Sequence, residues 1–302
     1  MTAASRYVGR FAPTPSGELH LGSLAAAVIS WLDARAHGGR WHVRIDDLDR
    51  PRVVAGAADS ILRTLERFGL HWDGPVTYQS QRAEHYRNAL AVLGERDWIF
   101  PCACTRTELA MHAALGWEGA IYPGTCREGV PPGREPRSLR FRVDQRYWTL
   151  SDRALGPISF DLHRLGGDFV VRRADGLYAY QLATVVDDAE LGVTDVVRGV
   201  DLLASAPRQV ALASALGVPV PRYLHHPVLV AKSSVFRKLG KSTGAPPVTN
   251  EDPAPLLIAL LHRLQVDLPA DPALAAEPLA VLLDLARQNW RPECLPSGDV
   301  RV

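Results

Sequence analysis

The chain has 302 residues, a formal net charge of +1, 22% charged and 47% hydrophobic residues, a balance that excludes a disordered polymer and carries no global basic signal for nucleic acid. No apolar run approaches the roughly 18–20 uncharged residues of a membrane span, and MTAASRYVGRF lacks a signal peptide's apolar segment, so a cytoplasmic protein with no membrane partner is expected. Four cysteines, three of them within residues 102–126, are too few and too clustered for a disulfide framework and suit a metal site better.

Taken in chain order, RYVGRFA reads as a strand and SLAAAVISWLDARAHGG as a helix ended by Gly38 and Gly39. RWHVRIDD is a second strand, AGAADSILRTLERFGL a helix closing at Gly69, and QRAEHYRNALAVLGERD a third helix. This rhythm predicts an α/β fold with a Rossmann-type parallel sheet. From Trp98 to Val186 it breaks into short strands and Pro/Gly-rich turns, the mark of an α+β insertion. The α/β pattern returns after TDVVRGVDLLASAPRQ, and APLLIALLHRLQ and PLAVLLDLARQNW read as amphipathic helices. The expected division is 1–97 for the first half of the Rossmann domain, 98–186 for the insertion, 187–245 for the second half and 246–302 for a small helical C-terminal region.

Chemistry concentrates in two places. In RFAPTPSGELHLGS a strand and a Pro-rich turn deliver His20, Gly22 and Ser23 to a helix start, where free N–H groups and the dipole favour a phosphate. Ser23 as an ordinary N-cap, with His20 in the preceding loop, is the competing reading. About two hundred residues later KLGKS puts Lys238 and Lys241 on a Gly-bearing loop suited to a polyphosphate whose charge grows during transfer, although such loops are commonly just solvated. Arg10 and Arg198 have the fork geometry for a carboxylate, and Tyr180 offers a hydroxyl from an apolar wall. Asp46, Asp47 and Asp49 of RIDDLD suggest a metal site only weakly, since alternation puts Asp46 on the opposite side from the other two. Cys102, Cys104 and Cys126 form a zinc candidate whose fourth ligand is open between His112 and Tyr122, while Cys294 stands apart as a structural residue.

Together HLGS (His20–Ser23) and KLGKS (Lys238–Ser242) resemble the two signatures of class I aminoacyl-tRNA synthetases. RIDDLDRPR, YQSQR, YAYQLATVVDD and VVRGVDLLASAPRQ are similar to the glutamyl-specific branch, over residues 6–245. CACTR and YPGTCR resemble the zinc segment of glutamyl-queuosine tRNA(Asp) synthetases, which implies one Zn2+ per chain on Cys102, Cys104, Tyr122 and Cys126. With only sixty residues after Ser242, no anticodon-binding domain is expected. The resemblance implies ATP with Mg2+, L-glutamate and tRNA(Asp) carrying queuosine as partners of a monomer that forms glutamyl-adenylate and then esterifies queuosine. It further implies that Arg10, Phe11, Ala12, Pro13, Thr14, Asp46, Tyr180 and Arg198 contact glutamate. His20, Gly22, Ser23, Lys241 and Ser242 would bind ATP, with His20, Lys238 and Lys241 catalytic. Two residues depart from that pattern: Asp46 stands where the family usually has Glu, and Gly240 where it has Ser. Arg134, Arg137, Arg140 and Arg142 are candidate RNA-phosphate contacts, with Arg140 and Arg142 on one sheet face. A small-molecule nucleotidylyltransferase and a catalytically inactive RNA-binding paralogue remain as alternatives.

Overall fold

The computed structural model describes residues 7–116, 119–230 and 246–301. β1 (Val8–Phe11) is buried throughout and leads through the Pro-rich turn into α1 (Leu21–Ala36). Gly38, at φ +61°, turns the chain where an L side chain would be strained. β2 (Arg40–Ile45) then lies parallel to β1. α2 (Ala57–Arg67) buries Ile61 and Leu65 and turns Arg63, Glu66 and Arg67 outward, as its 3.6-residue pattern requires. β3 (Thr77–Tyr78) extends the sheet in parallel, and α3 (Ala83–Glu95) closes the first half.

Next come β4 (Ile99–Cys102), α4 (Arg106–His112), started by a Thr105/Glu108 capping box, and the short pair β5 (Leu115–Gly116) and β6 (Gly119–Ala120). β7 (Ser138–Phe141), β8 (Tyr147–Asp152), β9 (Gly156–Asp161) and β10 (Phe169–Arg172) follow. β4, β7 and β10 form an antiparallel sheet. The β8–β9 hairpin, although it falls inside the expected insertion, joins the second half of the fold: Asp152 pairs with Tyr223.

α5 (Tyr180–Glu190) spans position 186, so the expected boundary there cuts a continuous helix. β11 (Asp195–Gly199), α6 (Ala206–Leu216) and β12 (Arg222–His226) rebuild a parallel pair. Thr194 stitches the two half-sheets together: its N–H donates to Val8 O at 2.9 Å, and its Oγ1 accepts from Val8 N–H at 2.9 Å. β13 (Leu229–Val230) pairs in parallel with β14 (Val300–Arg301), beyond α7 (Pro253–Arg263) and α8 (Leu279–Gln288).

Two apolar cores follow from this arrangement. One joins α1, β1, β2 and α2 to Leu257, Leu260 and Leu261 of α7 and Leu282 and Leu283 of α8. The C-terminal helices therefore complete the first core, and truncating a buried leucine such as Leu260 to Ala costs about 2–5 kcal/mol. A second core gathers α3, α5, α6, β7 and the β8–β9 hairpin.

Candidate active site and thiol cluster

The carboxyl ends of β1 and β11 and the start of α1 enclose a cavity of about 530 Å3, where parallel α/β sheets place ligands. Arg10, Phe11, Ala12, Pro13 and Thr14 supply one wall, His20, Gly22 and Ser23 the floor, and Tyr180 and Arg198 the far wall. Residues separated by up to 188 positions in sequence thus meet in one space.

At the floor, His20 is itself the N-cap of α1: its Nδ1 accepts from Ser23 N–H at 3.3 Å, while Ser23 Oγ accepts from His20 N–H at 2.9 Å. This reciprocal box unites what the sequence offers as rival roles, a capping serine and a ligand-facing histidine. Because Nδ1 is an acceptor, the ring proton belongs to Nε2, which suits donation to an anion. The amides of the first turn, at Leu21 and Gly22, lack intrahelical acceptors and strengthen that preference.

On the β1 wall, Arg10 is 4% exposed. Its Nε donates to Asp188 Oδ1 at 3.1 Å and Oδ2 at 3.3 Å, and its Nη1 to Val197 O at 3.4 Å. Arg44 lies deeper, donating to Asp188 Oδ1 and to Asp46 Oδ1, both at 2.6 Å. Burial opposes ionisation of Asp188, but Arg10 and Arg44 outweigh it and hold the carboxyl below its ordinary range. Asp46 goes the other way: burial, with help from Asp187 and Asp188, pushes it up despite Arg44. Asp46 does not line the cavity, and its N–H donates to Pro13 O at 2.9 Å, so it braces the loop that does.

The far wall is built differently. Arg198, 5% exposed, donates from Nε to His225 Nε2 at 3.0 Å and from Nη1 to Gln209 Oε1 at 2.7 Å. Its buried Nη2 has no hydrogen-bond partner among the described residues. Behind it, His225 Nδ1 lies 2.7 Å from Asp152 Oδ2. Tyr180 lines the cavity from the first turn of α5 and is 39% exposed.

In the insertion, Cys102, Cys104 and Cys126 bring their sulfurs within 4.8 Å of one another, with Cys104 and Cys126 at 3.7 Å. Tyr122 Oη lies 3.5 Å from Cys102 Sγ and accepts from Cys126 N–H at 2.8 Å. A tetrahedron with Zn–S bonds of about 2.3 Å has sulfur–sulfur edges of roughly 3.8 Å, which the Cys104–Cys126 separation matches, so this donor set is compatible with zinc. Arg140 Nε, 3.3 Å from Cys102 Sγ, favours a thiolate. Although burial raises it, hydrogen bonds from Tyr122 and Arg140 bring the Cys102 thiol down to about 7. The His112 side chain lies outside the described residues, and Cys294 is exposed.

Lys238, Gly240, Lys241 and Ser242 lie outside the described residues. The aspartate trio disperses: Asp46 pairs with Arg44, Asp47 accepts from Ser80 and Asp49 faces Arg173, which removes RIDDLD as a metal site. Of the RNA-contact arginines, Arg134 is held by Glu108, Arg142 by the Asp97 and Arg127 carbonyls, and Arg140 is buried against Asp168 O. Arg137 and Arg140 both line a second cavity beside the thiols, with Arg106 and Arg173. Sequence reasoning missed Arg52, Asp201 and Leu202 in the main cavity, and His225, Gln209 and Asp152 behind Arg198.

The profile described as "tRNA synthetases class I (E and Q), catalytic domain" matches residues 7–250. A "Glutamyl-Q tRNA(Asp) synthetase" of Chromobacterium violaceum is 51% identical over 296 residues, covering 98% of this chain and 97% of the relative. One of the same name from Aromatoleum aromaticum is 52% identical over 289 residues, covering 95% and 90%. Among solved structures, a glutamate tRNA ligase from Elizabethkingia meningosepticum in complex with its amino acid superposes with a TM-score of 0.79 at 22% identity, covering 98% of this chain and 67% of that one, a likeness of fold.

Proposed function

The chain belongs to the class I tRNA synthetases of the glutamate and glutamine family, and from that premise we propose that it activates L-glutamate with ATP and transfers it to queuosine in tRNA(Asp). The observation that carries this reading is a single cavity joining a helix N-terminus capped by His20 to two buried guanidiniums, one with a nitrogen that has no hydrogen-bond partner among the described residues. An anion of the ATP kind fits the first and a side-chain carboxylate the second. A small-molecule nucleotidylyltransferase or an RNA-binding paralogue without catalysis has no use for Arg198 in that state.

In the first step an oxygen of the ionised α-carboxylate attacks the α-phosphorus of ATP, and pyrophosphate leaves with the electrons of the broken P–O bond. Because the nucleophile is already an anion, no protein base is required, and catalysis is positioning with charge stabilisation. His20 Nε2 and the first-turn amides donate to phosphate oxygens, Gly22 allows close approach, and Ser23 fixes the His20 ring. Lys238 and Lys241, with Ser242, would meet the charge that develops on the phosphates, and the Mg2+ that accompanies ATP would add charge stabilisation there. Arg198 takes the glutamate side-chain carboxylate, Arg10 adds field from the opposite wall, and Phe11–Thr14 with Tyr180 limit the size of the substrate. Asp46, which does not line the cavity, would reach the ammonium through water.

In the second step a hydroxyl of queuosine attacks the acyl carbon of the adenylate, forming the ester and releasing AMP. Cys102, Cys104, Cys126 and Tyr122 would hold a zinc ion that cross-links the insertion as a structural clamp. Arg106, Arg137 and Arg173 give that side a local positive face suited to RNA phosphate.

The test is ATP–pyrophosphate exchange with each amino acid, first without tRNA and then with it. Exchange with glutamate alone in the absence of tRNA supports the reading; exchange with no amino acid overturns it.

A further inference from the structure

We propose that His225 and Asp152 act as a tautomer lock that positions Arg198 for the substrate carboxylate, an inference that rests on the reading of Arg198 given above. Its basis is donor and acceptor accounting in a dry place: His225 is 1% and Asp152 3% exposed. A guanidinium Nε carries a hydrogen and no lone pair, so His225 Nε2, 3.0 Å away, must be the acceptor. The ring proton then sits on Nδ1 and is donated to Asp152 Oδ2 at 2.7 Å. Asp152 is fixed in turn by backbone N–H groups, with Ala154 N at 2.9 Å and Leu155 N at 3.0 Å from Oδ1, and His225 N at 3.1 Å from Oδ2.

Two consequences separate this from ordinary packing. The lock uses a neutral acceptor, so Arg198 is aligned by His225 and Gln209 without losing charge to either, and Nη2 is left to a ligand. Asp152 ends β8, so the β8–β9 hairpin's docking on β12 is read out at the amino-acid site through one imidazole. The other charged or titratable groups around the ring are Tyr223, stacked at 5.8 Å, and Asp201, acting through space. Burial first, then Arg198, disfavours the imidazolium, in keeping with a neutral ring. A proton on Nε2 would oppose the Arg198 Nε hydrogen and push the guanidinium off its alignment.

The experiment uses the full chain. Ring 15N shifts of His225 report the tautomer, and pyrophosphate exchange gives KM for glutamate and kcat. The proton is expected on Nδ1. In Asp152→Asn the carboxamide donates toward the ring, drives the proton to Nε2, and raises the glutamate KM about ten- to a hundredfold with a smaller change in kcat. His225→Gln, whose Oε1 supplies an acceptor near the Nε2 position, restores a near-normal KM, whereas His225→Leu does not. This pair decides the matter if Asp152→Asn fails to fold. Nε2 protonation in the unmodified protein, or equal KM for the Gln and Leu variants, overturns the lock. Arg198→Ala, run alongside, distinguishes the failures: an unchanged glutamate KM there removes the reading of Arg198 and the lock with it, whereas a raised KM combined with an indifferent His225→Leu removes the lock alone.

Discussion

The two walls of the cavity hold an arginine each and treat it in opposite ways. Arg10 is balanced on the spot by Asp188, which Arg44 shares, so its charge is committed to the fold. Arg198 is hydrogen-bonded by a neutral histidine and an amide, and among the described residues no carboxylate pairs with it, so its charge is less committed than that of Arg10. Neighbouring arginines in one pocket therefore divide the work: one builds the wall and the other recognises. Charge bookkeeping by residue type cannot separate them, because what distinguishes them is the partner behind each guanidinium.

The largest expected effect provides a scale for both walls. Lys241→Ala should lower adenylate formation by about two to three powers of ten while leaving the glutamate KM near normal, since it removes a charge needed chiefly in the transition state. Pyrophosphate exchange measures both numbers, and a normal rate removes Lys241 from catalysis. Next, Arg198→Ala should raise the glutamate KM by about a hundredfold, as expected for losing a buried charged contact, yet reduce stability by only about 1 kcal/mol because its partners are neutral. Arg10→Ala should reverse that balance, costing about 3 kcal/mol in urea unfolding because Asp188 is left with Arg44 alone. If the two variants show the same ratio of binding loss to stability loss, the division of labour between the walls is wrong.

Acid sharpens the contrast. His225 is depressed below its unfolded value of about 6.5, so the unfolded chain takes up that proton first, and stability begins to fall as pH drops below that point. Asp188 is also depressed, but from a carboxylate value of about 3.9, so its contribution is intact above that pH and lost only as pH falls through the folded value. Unfolding titrations should show two declines, with His225→Gln reducing the upper, which the depressed His42 shares, and Asp188→Asn reducing the lower, which Asp33, Asp73 and Asp152 share; declines untouched by either variant would contradict the assignment. The smallest expected effect on adenylate formation comes from stripping any zinc that the thiols would hold. Chelation should lower the melting temperature and abolish transfer to tRNA, while exchange without tRNA persists, because the thiols lie in the insertion outside the cavity lining.

Much of the site was legible because its parts are short and local. The strand, turn and helix start of residues 10–23 carry their geometry in sequence, and Arg198 ends a recognisable strand. What escaped was set by strand order: His225 and Asp152 lie 73 residues apart and meet only because β8 docks beside β12. The pairing of Asp46 with Arg44, two residues before it at the end of β2, was not drawn from the sequence. For Arg140 and Arg142 the alternation rule was applied past the end of β7 at Phe141, and burial took Arg140 out of reach of solvent.

The packing of α1 against the C-terminal helices bears on synthesis. Trp290 donates its indole N–H to Asp33 at 2.9 Å across 257 residues, and Leu24, Val28 and Leu32 share a core with α7 and α8. At about 5–20 residues per second, a ribosome takes roughly 13–50 s between making the helix that carries His20 and making the residues that bury its apolar face. For that interval the nascent chain must be shielded from aggregation, and the phosphate site becomes competent only after α8 and Trp290 have been made.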